Sequence, residues 1–169
     1  MKISILLPYK ENFSSSYAGA VSLFLNDTIK LSKFKKFIKV YGCTNYKKDL
    51  LSNKYINIPS KKNFIFQSST NKYLNNFLKH ENLQQSNLVE VHNRPNYLKK
   101  IFKVNENIVL YFHNDPLSQK GSKSIKERLK LLKKTKKIIF ISKWVKDRFF
   151  LGLENFKNKR SNYEIIPHS

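Results

Sequence analysis

The chain is short of cysteine, arginine, acid and glycine, and each shortage closes off a class of protein. A single cysteine, Cys43, excludes an intramolecular disulfide and any zinc site built from clustered cysteines. Only four basic residues are arginine: Arg94, Arg128, Arg148 and Arg160. Arginine is the side chain best suited to forking onto base edges and phosphates, so its scarcity argues against sequence-specific nucleic-acid binding. Four glycines leave no full glycine-rich fingerprint for a dinucleotide. No stretch nears the roughly 18 consecutive apolar residues of a membrane span. The apolar opening Met1-Lys2-Ile3-Ser4-Ile5-Leu6-Leu7 is too short for a secretory leader and is cut by Pro8.

What remains is core material and positive charge. Hydrophobic residues make up 40% of the 169 and aromatics 14%, which excludes wholesale disorder. The length suits one domain, here expected to be a globular, cytoplasmic one spanning 1–169. Lysine and arginine total 33 against 11 acidic residues, a net charge of +22. Two origins for that charge stand side by side. Lys, Asn, Ile and Phe are residues of A/T-rich codons, so genome composition can set a surface like this one. An anionic partner can equally demand it.

Along the chain, short apolar runs alternate with helical patterns. Ile3–Leu7, Phe37–Tyr41, Tyr55–Ile58, Asn87–Val91, Asn107–Phe112, Lys137–Ile141 and Tyr163–Ile166 read as strands. Between them, Val21, Phe24, Leu25, Thr28 and Leu31 mark a first helical stripe. A second helix is expected over Lys72–Leu78 and a third over Asn96–Phe102, after Pro95. Ser124 and Glu127 have capping-box spacing and open a helix whose stripe is Ile125, Leu129 and Leu132. Ser142 caps a helix over Lys143–Leu151, with Gly152 as its C-cap. Strands alternating with helices imply an α/β fold, a Rossmann-like parallel sheet with helices on both faces.

Ligands of such sheets bind at the carboxyl ends of the strands. Three segments sit there: the Ala18-Gly19-Ala20 loop, Glu90-Val91-His92-Asn93-Arg94-Pro95, and His113-Asn114-Asp115-Pro116. Gly19 either lets backbone N–H groups approach a phosphate or merely permits a tight turn. His92 and His113 end two separate apolar strands, which favours a shared cleft over two isolated ring hydrogen bonds. No third residue completes a metal set, so no metal is expected. Arg94 can clamp a phosphate or carboxylate, or simply carry charge where a helix begins. Asp115-Pro116 is first a turn signal. Trp144, near Val145 and Phe149, suits core or interface packing. Lys126, Lys130, Lys133 and Lys134 give the fourth helix a basic face, open to anionic lipid headgroups or only to water.

Taken in order, these segments resemble the N-terminal domain of the GT-B glycosyltransferases of family 4 (glycosyl transferase group 1). Met1–Pro8 resembles that family's first strand and Ala18-Gly19-Ala20 its Gly-Gly loop, with Ala18 replacing the first glycine. Val89–Pro95 is similar to a segment of its lipopolysaccharide and spore-coat-like members. Leu110–Asp115 resembles the strand ending in the active-site histidine, and Phe140–Val145 a strand, serine and helix unit. Ile165-Ile166-Pro167-His168-Ser169 resembles the stretch leading into the second domain, so the C-terminal nucleotide-sugar domain is expected to be absent.

The resemblance implies the acceptor-side half of a retaining glycosyltransferase. Such an enzyme moves a sugar from a nucleotide-sugar donor to a glycan or lipid-linked acceptor in cell-envelope polysaccharide or lipopolysaccharide synthesis. It implies a catalytic role for His113, acceptor contacts from His92, Arg94 and Asn114, and a donor diphosphate near Gly19 and Ala18. It calls for no cofactor beyond the donor substrate. The basic patch would then suit docking to the inner face of the membrane, and these residues alone would be inactive. A stand-alone anionic glycan or lipid-binding module, or one subunit of a split transferase, is the alternative. A nucleic-acid-binding protein and a sugar-nucleotide epimerase stand behind both.

Overall fold

Seven apolar runs pair into strands because each places β-branched or aromatic side chains where a sheet can bury them. The computed structural model describes residues 1–46, 48–59, 68–157 and 161–167. The strands are β1 (Ile3–Leu6), β2 (Ile38–Gly42), β3 (Tyr55–Asn57), β4 (Leu88–His92), β5 (Ile108–Phe112), β6 (Lys137–Phe140) and β7 (Tyr163–Ile165). The helices are α1 (Ala20–Leu31), α2 (Ser69–Gln84), α3 (Leu98–Ile101), α4 (Ile125–Lys134), α5 (Lys143–Phe150) and α6 (Glu154–Lys157). The sheet order is β3-β2-β1-β4-β5-β6-β7, and the pairs β1/β2, β2/β3, β5/β6 and β6/β7 are parallel. This is an α/β Rossmann-like fold, as the alternation implies. Among the described residues no helix is long and apolar enough to cross a membrane. His168, Ser169 and Arg160 lie outside the described residues.

The chain forms two compact units, Met1–Val89 and Glu90–Ser169. In the first, Ile3, Ile5 and Leu7 pack with Val21, Leu25 and Ile29 of α1 and with Val40. The buried Tyr73 hydroxyl of α2 donates to the carbonyls of Leu7 (2.9 Å) and Tyr41 (3.2 Å). Those two acceptors sit near the ends of β1 and β2; the Tyr41 carbonyl also accepts the Leu7 N–H at 2.9 Å, so the phenol matters most to the Leu7 carbonyl. In the second unit, Phe112, Phe140, Phe149, Phe150 and Tyr163 form an aromatic cluster with ring separations of 4.9–6.3 Å.

The starts of α4 and α5 fall where the side chains predict them. Ser124 and Glu127 form a complete capping box at α4, and Ser142 accepts from the Val145 N–H at α5. Gly152 follows the last turn of α5 at φ 75°, the left-handed conformation that glycine adopts without penalty. Pro95 opens a 3-10 turn that runs into α3.

Two stripe phases are corrected. The inner face of α1 is Val21, Ser22, Leu25, Asn26 and Ile29, while Leu31 is 87% exposed. The inner face of α4 is Arg128, Leu131 and Leu132, and Ile125 is exposed. Both inner faces carry polar groups, which shifts the apparent apolar stripe. The Arg128 guanidinium is buried because it donates to the carbonyls of Ser122, Lys123 and Leu151, tying a loop to the end of α5. The second helix also runs to 16 residues rather than Lys72–Leu78. Ser68 caps it by accepting from Asn71 N–H, and its asparagines mask the stripe of Tyr73, Leu74, Phe77 and Glu81. Trp144 is not in the core: it is 59% exposed, with the Arg148 guanidinium 5.9 Å from its ring.

The phase of α1 is open to direct measurement. Ile29→Ala is expected to cost about 2–5 kcal/mol in urea unfolding, and Leu31→Ala to stay within about 0.5 kcal/mol. The opposite ranking would contradict the corrected face.

Candidate functional site

Strand periodicity assembles the site in the second unit. Residues two apart on a strand point to one side of the sheet. Glu90 and His92 of β4 therefore share a face, as do Tyr111 of β5 and His113 just beyond it. On the other side, Val91, Leu110 and Phe112 are fully buried. The two strands are neighbours, with the Asn93 N–H donating to the Tyr111 carbonyl at 2.9 Å. The shared face thus brings a carboxylate, two imidazoles and a phenol together.

The contacts are close. His92 Nε2 lies 2.7 Å from Glu90 Oε1, and His92 Nδ1 lies 2.8 Å from His113 Nε2. The His92 ring stacks on Tyr111 with centroids 4.6 Å apart and on His113 at 5.0 Å. His92 is fully buried and His113 is 7% exposed. Burial pushes the Tyr111 hydroxyl above its ordinary range, and the Glu90 and Glu164 charges add to that rise. Tyr111 therefore stays a neutral phenol at any physiological pH.

For an ionised Glu90 and a neutral His92, the hydrogen-bond inventory gives one set of proton positions. An ionised carboxylate only accepts, so His92 Nε2 carries a hydrogen toward Glu90. A neutral His92 then offers its Nδ1 lone pair, and His113 Nε2–H donates to it. This arrangement is chemically able to relay a proton: one added at His113 Nδ1 can be matched by transfer of the Nε2 proton to His92 Nδ1, beside Glu90. A base coupled in this way takes up a proton without keeping the charge at its own ring.

Asn93 holds the two strand ends in place. Its buried Oδ1 accepts from the N–H groups of His113 (2.8 Å) and Asn114 (3.3 Å) and from Gln119 Nε2 (3.2 Å). Its backbone sits at φ 50°, a left-handed conformation that Asn tolerates better than most residues. Arg94 Nη1 donates to the Asn93 carbonyl at 2.7 Å, and Asn114 presents its side chain to solvent. Asp115 caps the following turn at Leu117 N–H and receives Arg148 at 2.9 and 3.2 Å. The Arg148 hydrogen bonds hold the Asp115 carboxyl below its ordinary range against an opposing effect of burial.

The sequence placed His92, His113, Arg94 and Asn114 at strand ends, and the structure gathers all four within one unit. His92 is sealed from solvent and reaches the surface only through its contact with His113. Glu90, Asn93 and Tyr111 went unassigned, although the i, i+2 spacing of Glu90 with His92 and of Tyr111 with His113 signals a shared face. Among the described residues no group of three or more His, Cys, Asp or Glu side chains is poised to hold a metal ion. Lys126, Lys130, Lys133 and Lys134 are exposed on α4. Cys43, half-buried, directly follows β2.

Gly19 belongs to the first unit and is the N-cap of α1 at φ −77°, so no unusual backbone angle calls for glycine there. What lies against it is the carboxyl end of the flexible Glu11 side chain. A Cβ on Gly19 would come 2.1 Å from Glu11 Oε1. That carboxylate accepts from the Ser22 N–H and hydroxyl, both at 3.3 Å. An internal anion thus occupies the end of the helix that attracts phosphates. Ala18 is half-buried beside it.

No protein-family model matches the chain, and no curated protein matches it.

Two predictions follow from this geometry. Asn93→Gly keeps the backbone angle but strands buried N–H groups, a loss of about 1–3 kcal/mol. Asn93→Ala is expected to lose about 1 kcal/mol more through its left-handed backbone; equal losses in chemical unfolding would remove the backbone argument. For Asp115, the lowered folded-state value means its contribution is full above about pH 4. It fades as pH falls through that value. Asp115→Asn should melt below the parent at pH 7, with the gap closing in acid; a gap independent of pH would contradict the ion pair.

Proposed function

We propose that this chain is the acceptor side of a retaining glycosyltransferase of the GT-B, family 4 type. Such an enzyme transfers a sugar from a nucleotide-sugar donor to a glycan or lipid-linked acceptor of the cell envelope. One observation carries the reading: a barely exposed His113 at the carboxyl end of β5 is coupled through His92 to Glu90. In α/β sheets that end of a strand is where ligands bind. Sugar transfer needs an acceptor hydroxyl to lose a proton as the glycosidic bond forms. His113 meets that need, because charge taken up at its ring passes to His92 and is balanced by Glu90.

The other residues have supporting roles. Asn93 fixes the backbone of His113 and Asn114. Asn114 and Arg94 supply an amide and a guanidinium to the sugar hydroxyls or an acidic group of the acceptor. Charge on the departing diphosphate needs preorganised donors, and in this reading the N–H groups at Gly19 serve it. The Glu11 carboxylate holds that position by hydrogen bonds to Ser22, so it must swing aside before a diphosphate can approach.

The acceptor reading is tested by titrating the labelled protein with lipopolysaccharide core oligosaccharide and with neutral oligosaccharides while following amide and imidazole resonances. Shifts centred on Arg94, His113 and Asn114, and weakened at least tenfold in His113→Ala, are expected. Saturating oligosaccharide that leaves all three residues unmoved would overturn the reading. On the donor side, Glu11→Gln should bind inorganic pyrophosphate more tightly than the parent by about fivefold. Unchanged affinity would remove Gly19 from the donor contact.

A further inference from the structure

The segment from Lys30 to Lys39 combines two properties that a surface seldom shows together. It carries five lysines, at 30, 33, 35, 36 and 39, all exposed. No Asp or Glu lies between Asp27 and Asp49 in the sequence. Among the described residues none of the five lysines is in an ion pair. Interleaved with them, Leu31 is 87%, Phe34 50% and Phe37 45% exposed.

This exposure is built into the backbone. Ser32 ends α1 with its N–H on the Ile29 carbonyl, and its hydroxyl accepts from the Phe34 N–H at 3.1 Å. Lys35 N–H then donates to Ser32 O and Phe37 N–H to Phe34 O, at 3.2 and 2.8 Å. Successive closed turns leave the three apolar side chains little freedom to fold back. A surface groove continues the patch from Lys36, Phe37 and Lys39 to Met1 and Leu83, and Leu83 is 86% exposed.

Charge and apolarity together select the partner. Lysines attract any polyanion, but exposed leucine gains only where an apolar phase lies just behind the anionic layer. A nucleic acid offers base faces to stack on, which Leu31 and Leu83 cannot use, and residues 1–89 contain no arginine. The basic face of α4 differs: its Leu131 and Leu132 point inward and Ile125 is its one exposed apolar side chain, so Lys126, Lys130, Lys133 and Lys134 come with less apolar surface.

We propose that the Lys30–Lys39 segment docks this protein on an anionic lipid bilayer. Leu31, Phe34 and Phe37 enter the headgroup region, and the surrounding lysines lie at the phosphate level. The proposal is independent of the acceptor site in the second unit, and neither fails with the other.

The test is co-sedimentation of the full chain with vesicles of phosphatidylglycerol and phosphatidylcholine, and with phosphatidylcholine alone. Binding is expected only to the anionic vesicles. Replacing Lys33, Lys35 and Lys36 by Gln should weaken it on the order of 100-fold, at about fivefold per lysine. Leu31→Ser with Phe34→Ser should weaken vesicle binding about tenfold and leave binding to polyuridylate RNA unchanged. Both sets lie on exposed side chains, and an unaltered melting temperature confirms the fold in each. Three results would overturn the proposal. The first is failure of the parent to bind anionic vesicles. The second is full vesicle binding by the double Ser variant, or loss of RNA binding in parallel. The third is a loss confined to Gln replacements at Lys126, Lys130, Lys133 and Lys134.

Discussion

The hydrogen bond between His92 Nδ1 and His113 Nε2 spans 2.8 Å in a place nearly closed to water, and it needs one proton and one lone pair. Two imidazoles meet that demand only when their protonation states are matched, and Glu90 does the matching by requiring a hydrogen on His92 Nε2. The rest of the site serves this arrangement. Tyr111 stacks on His92 and remains a neutral phenol, which keeps a second negative charge away from Glu90. Asn93 pins the strand ends so that the two rings stay in register. Asp115 and Arg148 anchor the turn that follows.

The first unit solves a related problem differently. Its strand-end carbonyl at Leu7 accepts from one buried phenol, Tyr73, which also lies against the Tyr41 carbonyl already bonded to the Leu7 N–H. The helix N-terminus at Gly19 is satisfied by Glu11. A carboxylate there does what a bound phosphate would do, neutralising the end of the helix dipole and accepting its N–H groups. With that carboxylate packed against Gly19, the glycine's presence alone does not identify a phosphate site.

Much of this architecture is legible in the residues themselves. Strand runs such as Ile108–Phe112, the Ser124–Glu127 box and the Ser142 cap are local signals, and local hydrogen bonding realises them. The face of a helix is less legible when its inner side is polar. Ser22 on α1 meets Glu11, and the Arg128 Nη groups on α4 meet the carbonyls of Ser122, Lys123 and Leu151, and a hydropathy pattern carries no record of such partners. The same holds for Asn93, whose left-handed backbone and triple acceptor role arise from tertiary pairing. The coupling of His92 to His113 falls between these cases. Spacing puts each histidine in line with Glu90 or Tyr111, but only the adjacency of β4 and β5 brings the rings together.

The measurement closest to the central claim is nitrogen-15 NMR of the two imidazole rings, recorded across a pH series. The account predicts that, when both rings are neutral, His92 and His113 each carry hydrogen on Nε2, with scalar coupling across the bond from His113 Nε2 to His92 Nδ1. Loss of that coupling in Glu90→Ala would complete the case. Hydrogen on Nδ1 of a neutral His92, or rings that exchange with water independently, would contradict a coupled Glu90–His92–His113 chain and the chemistry built on it.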